Sequence, residues 1–487
     1  MDNTLNTRAV TAFKWSSFTE LLCKVITPLI NMLLARILAP EAFGVLATII
    51  MIVSFAEVFV ESGFQKFLIQ HQFVTEDEER KYMSVAFWSN LFFSIFLWIL
   101  LIVFCKPITR LVGNEGYELP VILAGVTIPL YGIIGIQNCK LKKTLEFKKL
   151  FVVRFSTALV PLIITLPLAL LGLDYWSLVI GNIAGVLTQS IILLIIGGFK
   201  PIMYFDSNKL VYMLSFGIWT LLDGIAVWLT SWLDAFLIGR SLSNYYLGLY
   251  RNSSSTVLSL FNIVFAAITP VLFASLSNLQ KDTRQFNHFF LKVQKTVAML
   301  LLPISLSVFF KSDLVTFILF GDKWLEASQV VSIMSLCYSL RLLFVSLYGD
   351  VYRAKGLFFL PFFLQLLDLC ILIPVCLYCI NRGFWPLVYG RSFAFLFLII
   401  PEMLVLWRVC SISPIDIVKN MSHVLISITT MLLLYLISGF YTGGYFYDII
   451  VILVASIAYL LTLFAFKEER NQYLKPFFKT ICQFVKR

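Results

Sequence analysis

Charge is scarce in this sequence, and histidine is nearly missing. Asp, Glu, Lys and Arg make up 13% of the chain and only three residues are His, against 60% hydrophobic residues. With so few polar positions, all-round apolar segments outweigh the one-sided pattern of soluble helices. Long hydrophilic stretches are also lacking. The longest connection between apolar segments, about twenty residues near 273–292, is too short to fold as a soluble domain. His71, His288 and His423 all fall in or beside connections expected on the cytoplasmic side, which excludes a catalytic histidine inside the membrane. The nine cysteines sit mostly within or beside apolar spans. Cys376 and Cys379 have the spacing of a redox or zinc half-site, but no second pair and no nearby histidine completes it, so they read as small buried residues. No metal site and no cofactor are expected.

What the chain does contain is about fourteen stretches of the length that crosses a bilayer. They run approximately over 13–35, 43–64, 83–105, 118–137, 151–172, 176–197, 210–238, 248–272, 291–310, 328–348, 357–380, 384–407, 419–438 and 446–466. A cleavable signal peptide is not expected, because the first span follows a polar start with Arg8 and Lys14, is too long and lacks a small-residue cleavage site. Placing the amino terminus inside puts about 27 of the basic residues on that side and about 8 outside, as basic loops require. Lys24, Arg341 and Arg391 fall within spans. Both termini are therefore expected in the cytoplasm. The net charge of +11 calls for no nucleic acid, since cytoplasmic rims facing anionic lipid are usually basic.

The chain also repeats itself. Arg36, Leu38 and Gly44 recur at one fixed offset as Arg240, Leu242 and Gly248, each set at the outer end of a span and six spans apart. An even number of spans gives the two copies the same orientation, related by an axis along the membrane normal. The expected fold is thus an all-α polytopic membrane protein. It has two pseudo-symmetric six-helix lobes over 1–205 and 206–410, an additional helix pair over 411–466, and a basic cytoplasmic tail over 467–487. In the tail, Leu474, Phe477, Phe478, Ile481 and Val485 share one helical face, with Lys475, Lys479 and Lys486 elsewhere, which predicts an amphipathic surface helix. Two bundles that rock against each other favour transport.

Several landmarks resemble a known family. Ala35-Arg36-Ile37-Leu38-Ala39-Pro40-Glu41-Ala42-Phe43-Gly44 is similar to the first-loop signature of bacterial polysaccharide flippases. So are Glu61-Ser62-Gly63-Phe64 followed by Leu68-Ile69-Gln70, and the basic-aromatic stretch Leu145-Glu146-Phe147-Lys148. Pro270-Val271-Leu272-Phe273 with Ser277, Gln280 and Asp282, and Phe320-Gly321-Asp322-Lys323-Trp324, complete the order. The resemblance implies a Wzx-type exporter of the multidrug/oligosaccharidyl-lipid/polysaccharide superfamily, closest to the colanic acid, teichuronic acid and exopolysaccharide branch. It implies a substrate of oligosaccharide repeat units linked to undecaprenyl diphosphate, moved from the inner to the outer leaflet of the bacterial cytoplasmic membrane. Polysaccharide polymerase and chain-length machinery would be partners, beside membrane lipid. The last pair of spans matches no landmark.

Such a substrate needs cations for its diphosphate and a hydrated path for its sugars. Intramembrane charges cost roughly 2.5–3.5 kcal/mol on insertion scales, so each is a functional candidate. Lys24 leads, on a polar stripe with Glu20, Thr27 and Asn31; the rival reading is a Glu20–Lys24 pair one turn apart that holds the helix in place. Arg391, Arg341, Arg36 and Arg240 are the other candidate cations, the last two also explained by snorkelling. Glu20, Glu57, Glu61, Asp223 and Asp368 are carboxylates for a coupling proton or sodium ion, or for neutralising nearby bases. Asp223 opens a stripe with Thr230 and Asp234. Asp368 needs a partner, with Lys24 and Arg391 both open. Trp219, Trp228 and Trp232 are candidate sugar-stacking rings. A MATE-like drug/cation antiporter is the rival transporter, although Lys24 and Arg391 sit poorly with a cationic drug. A membrane polymerase or acyltransferase would show a large outer loop or an intramembrane histidine. A non-transporting scaffold for surface-polymer synthesis is the third rival.

Overall fold

The computed structural model describes residues 2–60, 64–357, 359–439, 441 and 443–471. It does not describe the side chains of 2–14, 16–18, 20, 21, 216, 267, 270 and 274. No strand occurs among the described residues. The helices that matter here are α1 (Asp2–Ile37), α2 (Pro40–Val60), α3 (Glu76–Val103), α4 (Glu118–Lys143), α5 (Phe147–Leu170), α6 (Tyr175–Ile196) and α7 (Ser207–Ser241). They continue as α8 (Asn244–Asn278), α9 (Thr283–Phe310), α10 (Asp322–Ala354), α11 (Leu360–Ile380), α12 (Phe384–Cys410), α13 (Pro414–Ser438) and α14 (Tyr445–Ala465). Twelve helices among the described residues are long and apolar enough to cross a membrane, and α8 makes a thirteenth when its two parts are joined. The first expected span falls on α1, half of whose side chains lie outside the described residues. The amphipathic helix expected in the tail falls on residues 472–487, also outside them.

Local chemistry explains where the helices begin. Thr75 caps α3 by accepting from the Glu78 amide, and four acidic residues fill the first turn, where the helix dipole favours them. Asp206 caps α7 by accepting from the Asn208 and Lys209 amides. The Lys209 ammonium, 2.9 Å away, and then these amides hold the Asp206 carboxyl below its usual range. Ser413 and Asp416 form a capping box with Pro414 at the first turn of α13. One departure from regular helix is a π-helical turn at Pro161–Thr165 inside α5, where proline supplies no amide to the ladder. The exposed faces carry Phe92, Ile195, Trp219 and Leu461. That is the reverse of a soluble protein and is what a lipid-facing surface requires.

The chain forms two compact units. One contains Met1–Ala266, Phe320–Trp324 and Gln365–Arg391; the other contains Ala267–Leu319, Leu325–Leu364 and Ser392–Arg487. Compactness is a different criterion from the repeat, which is a matter of symmetry, so the units do not address the lobe boundaries expected at 205 and 410. In the first unit α4 packs on α3, α5 on α1, and α7 on α2. Small residues permit the approach: a β-carbon at Gly132 would stand 2.8 Å from Ser94 Oγ. In the second unit α13 and α14 pack on each other and on α9. Lys311 pairs with Asp448 at 2.7 Å, Tyr459 donates to the Met299 carbonyl at 3.0 Å, and Tyr435 donates to Ser307 Oγ at 2.9 Å. Lys295 and His423 both meet the buried carboxylate of Glu469. The additional helix pair is thereby tied along the length of α9.

Candidate transport site

Three buried charged residues lie together in the first unit, where α7, α8, α11 and α12 supply one side-chain cluster. Asp234 is 3% exposed, Arg391 4% and Asp368 2%. Arg391 Nε stands 3.0 Å from Asp234 Oδ2, and Arg391 Nη2 donates to the Thr230 carbonyl at 2.6 Å. Tyr250 donates its hydroxyl proton to Asp234 Oδ2 at 2.6 Å, and the Ala235 amide donates to Oδ1 at 2.7 Å. Gln365 donates to Thr230 Oγ1, while Asp368 adds a second buried negative charge acting on the same guanidinium. A buried ion is tolerated only when paired and hydrogen-bonded, and Asp234 and Arg391 meet both conditions. With both carboxylates ionised, two negative charges face one positive charge.

Arg391 is thus placed in an ion pair with Asp234, and Asp368 acts on the same guanidinium. Asp234 appeared in the sequence only as the end of the Asp223 stripe. Tyr250 and Gln365 were not singled out. Gln365 precedes Asp368 by three residues, one turn on the same face of α11, and that spacing was the available signal.

The remaining candidates are distributed. Lys24 is half-buried on α1, as are Glu57 on α2 and Asp223 on α7. The Glu20 side chain and the whole of Glu61 lie outside the described residues. Arg36 and Arg240, at the ends of α1 and α7, are exposed. Arg341, in the second unit, is half-buried with its guanidinium 4.4 Å from the Phe395 ring centre. Of the tryptophans, Trp219 is exposed, Trp228 donates to Ser54 Oγ at 3.1 Å, and Trp232 is buried beneath the Arg251 guanidinium at 3.8 Å. Asn31, from the α1 stripe, lines a cavity of about 310 Å³ with Tyr131, Thr157, Thr165, Asn182 and Gln189. On α8, Asn252 Nδ2, Ser253 Oγ, Ser254 Oγ and Thr256 Oγ1 are buried with no hydrogen-bond partner among the described residues. Each is polar capacity left open inside the unit.

The repeated motif has a structural meaning. Pro40 and Asn244, the first residues of α2 and α8, stand at the same offset as Gly44 and Gly248. A β-carbon on Gly44 would overlap the Asn244 backbone, and one on Gly248 would overlap the Pro40 carbonyl. The two helix starts therefore cross reciprocally, backbone on backbone, with glycine required on both sides. Trp324 closes over this crossing. Its ring stands edge-on to Phe43 at 5.3 Å and its indole donates to the Ala35 carbonyl at 2.8 Å, while Lys323 donates to the Ile37 carbonyl at 2.9 Å. The Phe320–Trp324 and Ala35–Gly44 landmarks are partners in space.

The family described as "Polysaccharide biosynthesis protein" matches residues 33–329. The chain is 22% identical to an uncharacterized membrane protein in the cps region of Klebsiella pneumoniae, over 98% of this chain and 99% of that one. It is 24% identical to the lipopolysaccharide biosynthesis protein WzxC of Escherichia coli, over 69% and 68%. With the succinoglycan biosynthesis transport protein ExoT of Rhizobium meliloti it shares 23% identity over 62% and 61%. Among solved structures it superposes on the lipid II flippase MurJ in an inward closed conformation, with a TM-score of 0.76 and 17% identity over 94% of this chain and 99% of that one. A multidrug MATE transporter in its inward-facing conformation gives 0.59 at 11% identity, over 80% and 98%. At these identities the structural likeness concerns the fold.

Proposed function

The chain belongs to the polysaccharide biosynthesis protein family, and from that premise we propose that it is a flippase for surface-polysaccharide precursors. Its substrate in this reading is an oligosaccharide repeat unit on undecaprenyl diphosphate, turned from the inner to the outer leaflet of the bacterial cytoplasmic membrane with both termini in the cytoplasm. The family match over residues 33–329 carries the reading. The relatives named for lipopolysaccharide and succinoglycan biosynthesis support it, as do charges buried within membrane helices. Polysaccharide polymerase and chain-length machinery are proposed partners at the outer face.

The physical task is to carry a diphosphate and sugars through hydrocarbon while the polyprenyl tail stays in lipid. Lys24 provides the mid-depth cation on α1, with Arg36 and Arg240 at the span ends and Arg341 as further cations. Alternating access follows from two lobes exposing these groups in turn, with the Gly44–Gly248 crossing as the closed end of the path. The two buried carboxylates Asp234 and Asp368 around Arg391 support coupling to a proton or a sodium ion. Catalysis has no place in this reading.

Lys24 supplies the test. Phosphate recognition needs a cation, and Lys acts as a point charge. Lys24→Ala and Lys24→Gln are expected to abolish export at normal protein levels, and Lys24→Arg to retain part of it, read as inner-leaflet accumulation of the lipid-linked repeat unit. Normal export by Lys24→Gln, or restoration by Glu20→Gln combined with Lys24→Met, would remove Lys24 from the substrate path and leave it as a charge-balancing group.

A further inference from the structure

At the membrane end where α3 begins and α4 and α6 finish, the first unit carries a second cavity unrelated to the buried cluster. It measures about 490 Å³ and is lined by Glu76, Asp77, Arg80, Lys140 and Lys200, with Met83, Gly198 and Phe199 as its apolar and backbone wall. That volume lies within the range of about 300–1,000 Å³ typical of small-molecule sites.

The wall is held in place. Buried Gln137 donates to the Phe199 carbonyl at 2.8 Å, Trp88 donates to the Ile202 carbonyl at 2.9 Å, and the Ile202 amide donates to Ser84 Oγ at 3.1 Å. Gly198 adopts φ +76°, and nothing stands within 4 Å of where its β-carbon would be. The connection after α6 is thus pinned to α3 and α4 on one side and leaves open space on the other.

The charges divide into engaged and available. Asp77 pairs with Lys81 at 2.6 Å, and Lys140 pairs with Glu79 at 3.2 Å, a carboxylate that Lys143 also approaches at 3.7 Å. Arg80, Lys200 and Glu76 are exposed and form no ion pair among the described residues. The cavity therefore offers two available cations and one available carboxylate together. A purely anionic ligand would satisfy Arg80 and Lys200 but would meet Glu76 as a like charge. A ligand carrying both a phosphate and a primary amine complements all three. The height matters as well. Glu76 opens α3, Lys140 lies in the last turn of α4, and Lys200 follows α6, so the cavity sits where spanning helices meet lipid headgroups.

We propose that this cavity is a binding site for the phosphoethanolamine headgroup of a membrane phospholipid. The phosphodiester is held by Arg80 and Lys200, and the ammonium donates to Glu76. Charge-assisted hydrogen bonds of this kind are the strong ones. The site is independent of what the protein transports.

The experiment is lipid retention by the purified full chain, using native mass spectrometry after equilibration with phosphatidylethanolamine, phosphatidylcholine or phosphatidylglycerol of matched acyl chains. Phosphatidylethanolamine is expected to be retained about tenfold more strongly than either of the others, the scale of one charge-assisted bond. Phosphatidylcholine keeps the charges but cannot donate to Glu76, and phosphatidylglycerol lacks the amine. Glu76→Gln is expected to erase the preference for ethanolamine over glycerol, and Arg80→Ala with Lys200→Ala to weaken retention of both. Equal retention of ethanolamine and choline lipids, a preference for phosphatidylglycerol, or unchanged retention by the variants would each overturn the proposal. Displacement of phosphatidylethanolamine from the parent protein by undecaprenyl diphosphate would overturn it too, by making the cavity a substrate site. Should a variant fail to fold, the order of the three lipids on the parent protein decides alone.

Discussion

Arg391 shows how a single residue changes meaning once its neighbours are known. As an isolated intramembrane cation it invites a substrate role; beside Asp234 and Asp368 its charge is already committed. Arg391→Ala strands two buried carboxylates and is expected to lower stability by about 3–5 kcal/mol, the usual cost of breaking one side of a buried pair. Asp234→Asn with Arg391→Met removes the ion pair but keeps Asp368, so it is expected to recover part of that loss, measured by thermal unfolding of the purified protein. Asp368→Asn keeps the Asp234–Arg391 pair, so its effect on stability should be smaller than that of Arg391→Ala. If the Asp368 carboxylate binds the coupling ion, Asp368→Asn will uncouple export from the ion gradient; full coupling in that variant would remove Asp368 from this role. The sequence made these charges visible because polar atoms in long apolar runs stand out. It did not disclose which charges pair. That depends on how α7, α8, α11 and α12 are rotated about their axes, which no local pattern encodes.

At the level of helices, existence was easy to read and irregularity was not. All-round apolar composition marks a span whatever its neighbours are, and the described helices lie where the apolar stretches predict them. The π-helical turn at Pro161–Thr165 had no comparable mark, since a proline within a span is compatible with a kink, a bulge or an undisturbed helix. The repeated glycines fall between these cases. Their register was legible, but the reason for them was the crossing of α2 and α8, which only the packed backbone displays. Gly44→Ala and Gly248→Ala each place a methyl group into opposing backbone rather than into a flexible side chain. Each is expected to cost about 1–3 kcal/mol, as overpacking does, and to loosen the crossing. A cysteine introduced at Thr48, buried one turn past Gly44, should then react faster with a small thiol reagent than in the parent. Unchanged stability and unchanged labelling in both variants would mean that the crossing is not a tight closure. Gly116→Ala is a control with a different source of strain: its φ is +94° and no atom stands within 4 Å of the added carbon, so any cost there is purely conformational.

For the molecule as a whole, the repeat and the basic residues bear on one question, which way the chain faces. The two copies of the Arg-Leu-Gly motif lie an even number of spans apart, and their reciprocal contact through Gly44 and Gly248 requires α2 and α8 to start at the same membrane end. The stretch from Lys140 to Lys149 must then lie at the opposite end, because α2 and α3 span once each and α4 returns. Glu79 bridges Lys140 and Lys143 there, and Lys143 covers the Phe73 ring at 4.0 Å, so that end carries a dense basic and aromatic rim. A rim of this kind is expected beside anionic lipid on the cytoplasmic side, in keeping with the proposed orientation. Cysteines introduced at Lys142 or Lys148 should therefore be protected from an impermeant thiol reagent in intact cells and become reactive after permeabilisation. A cysteine at Asp174, in the tight connection between α5 and α6 where the backbone adopts φ 46°, should react without permeabilisation. Both sites are reported by the same reagent in the same cells, so incomplete labelling cannot imitate the result. Reaction at Lys148 from outside together with protection at Asp174 would invert the whole chain. The cations would then be presented in the opposite order, and the proposed direction of transport would fail with the topology.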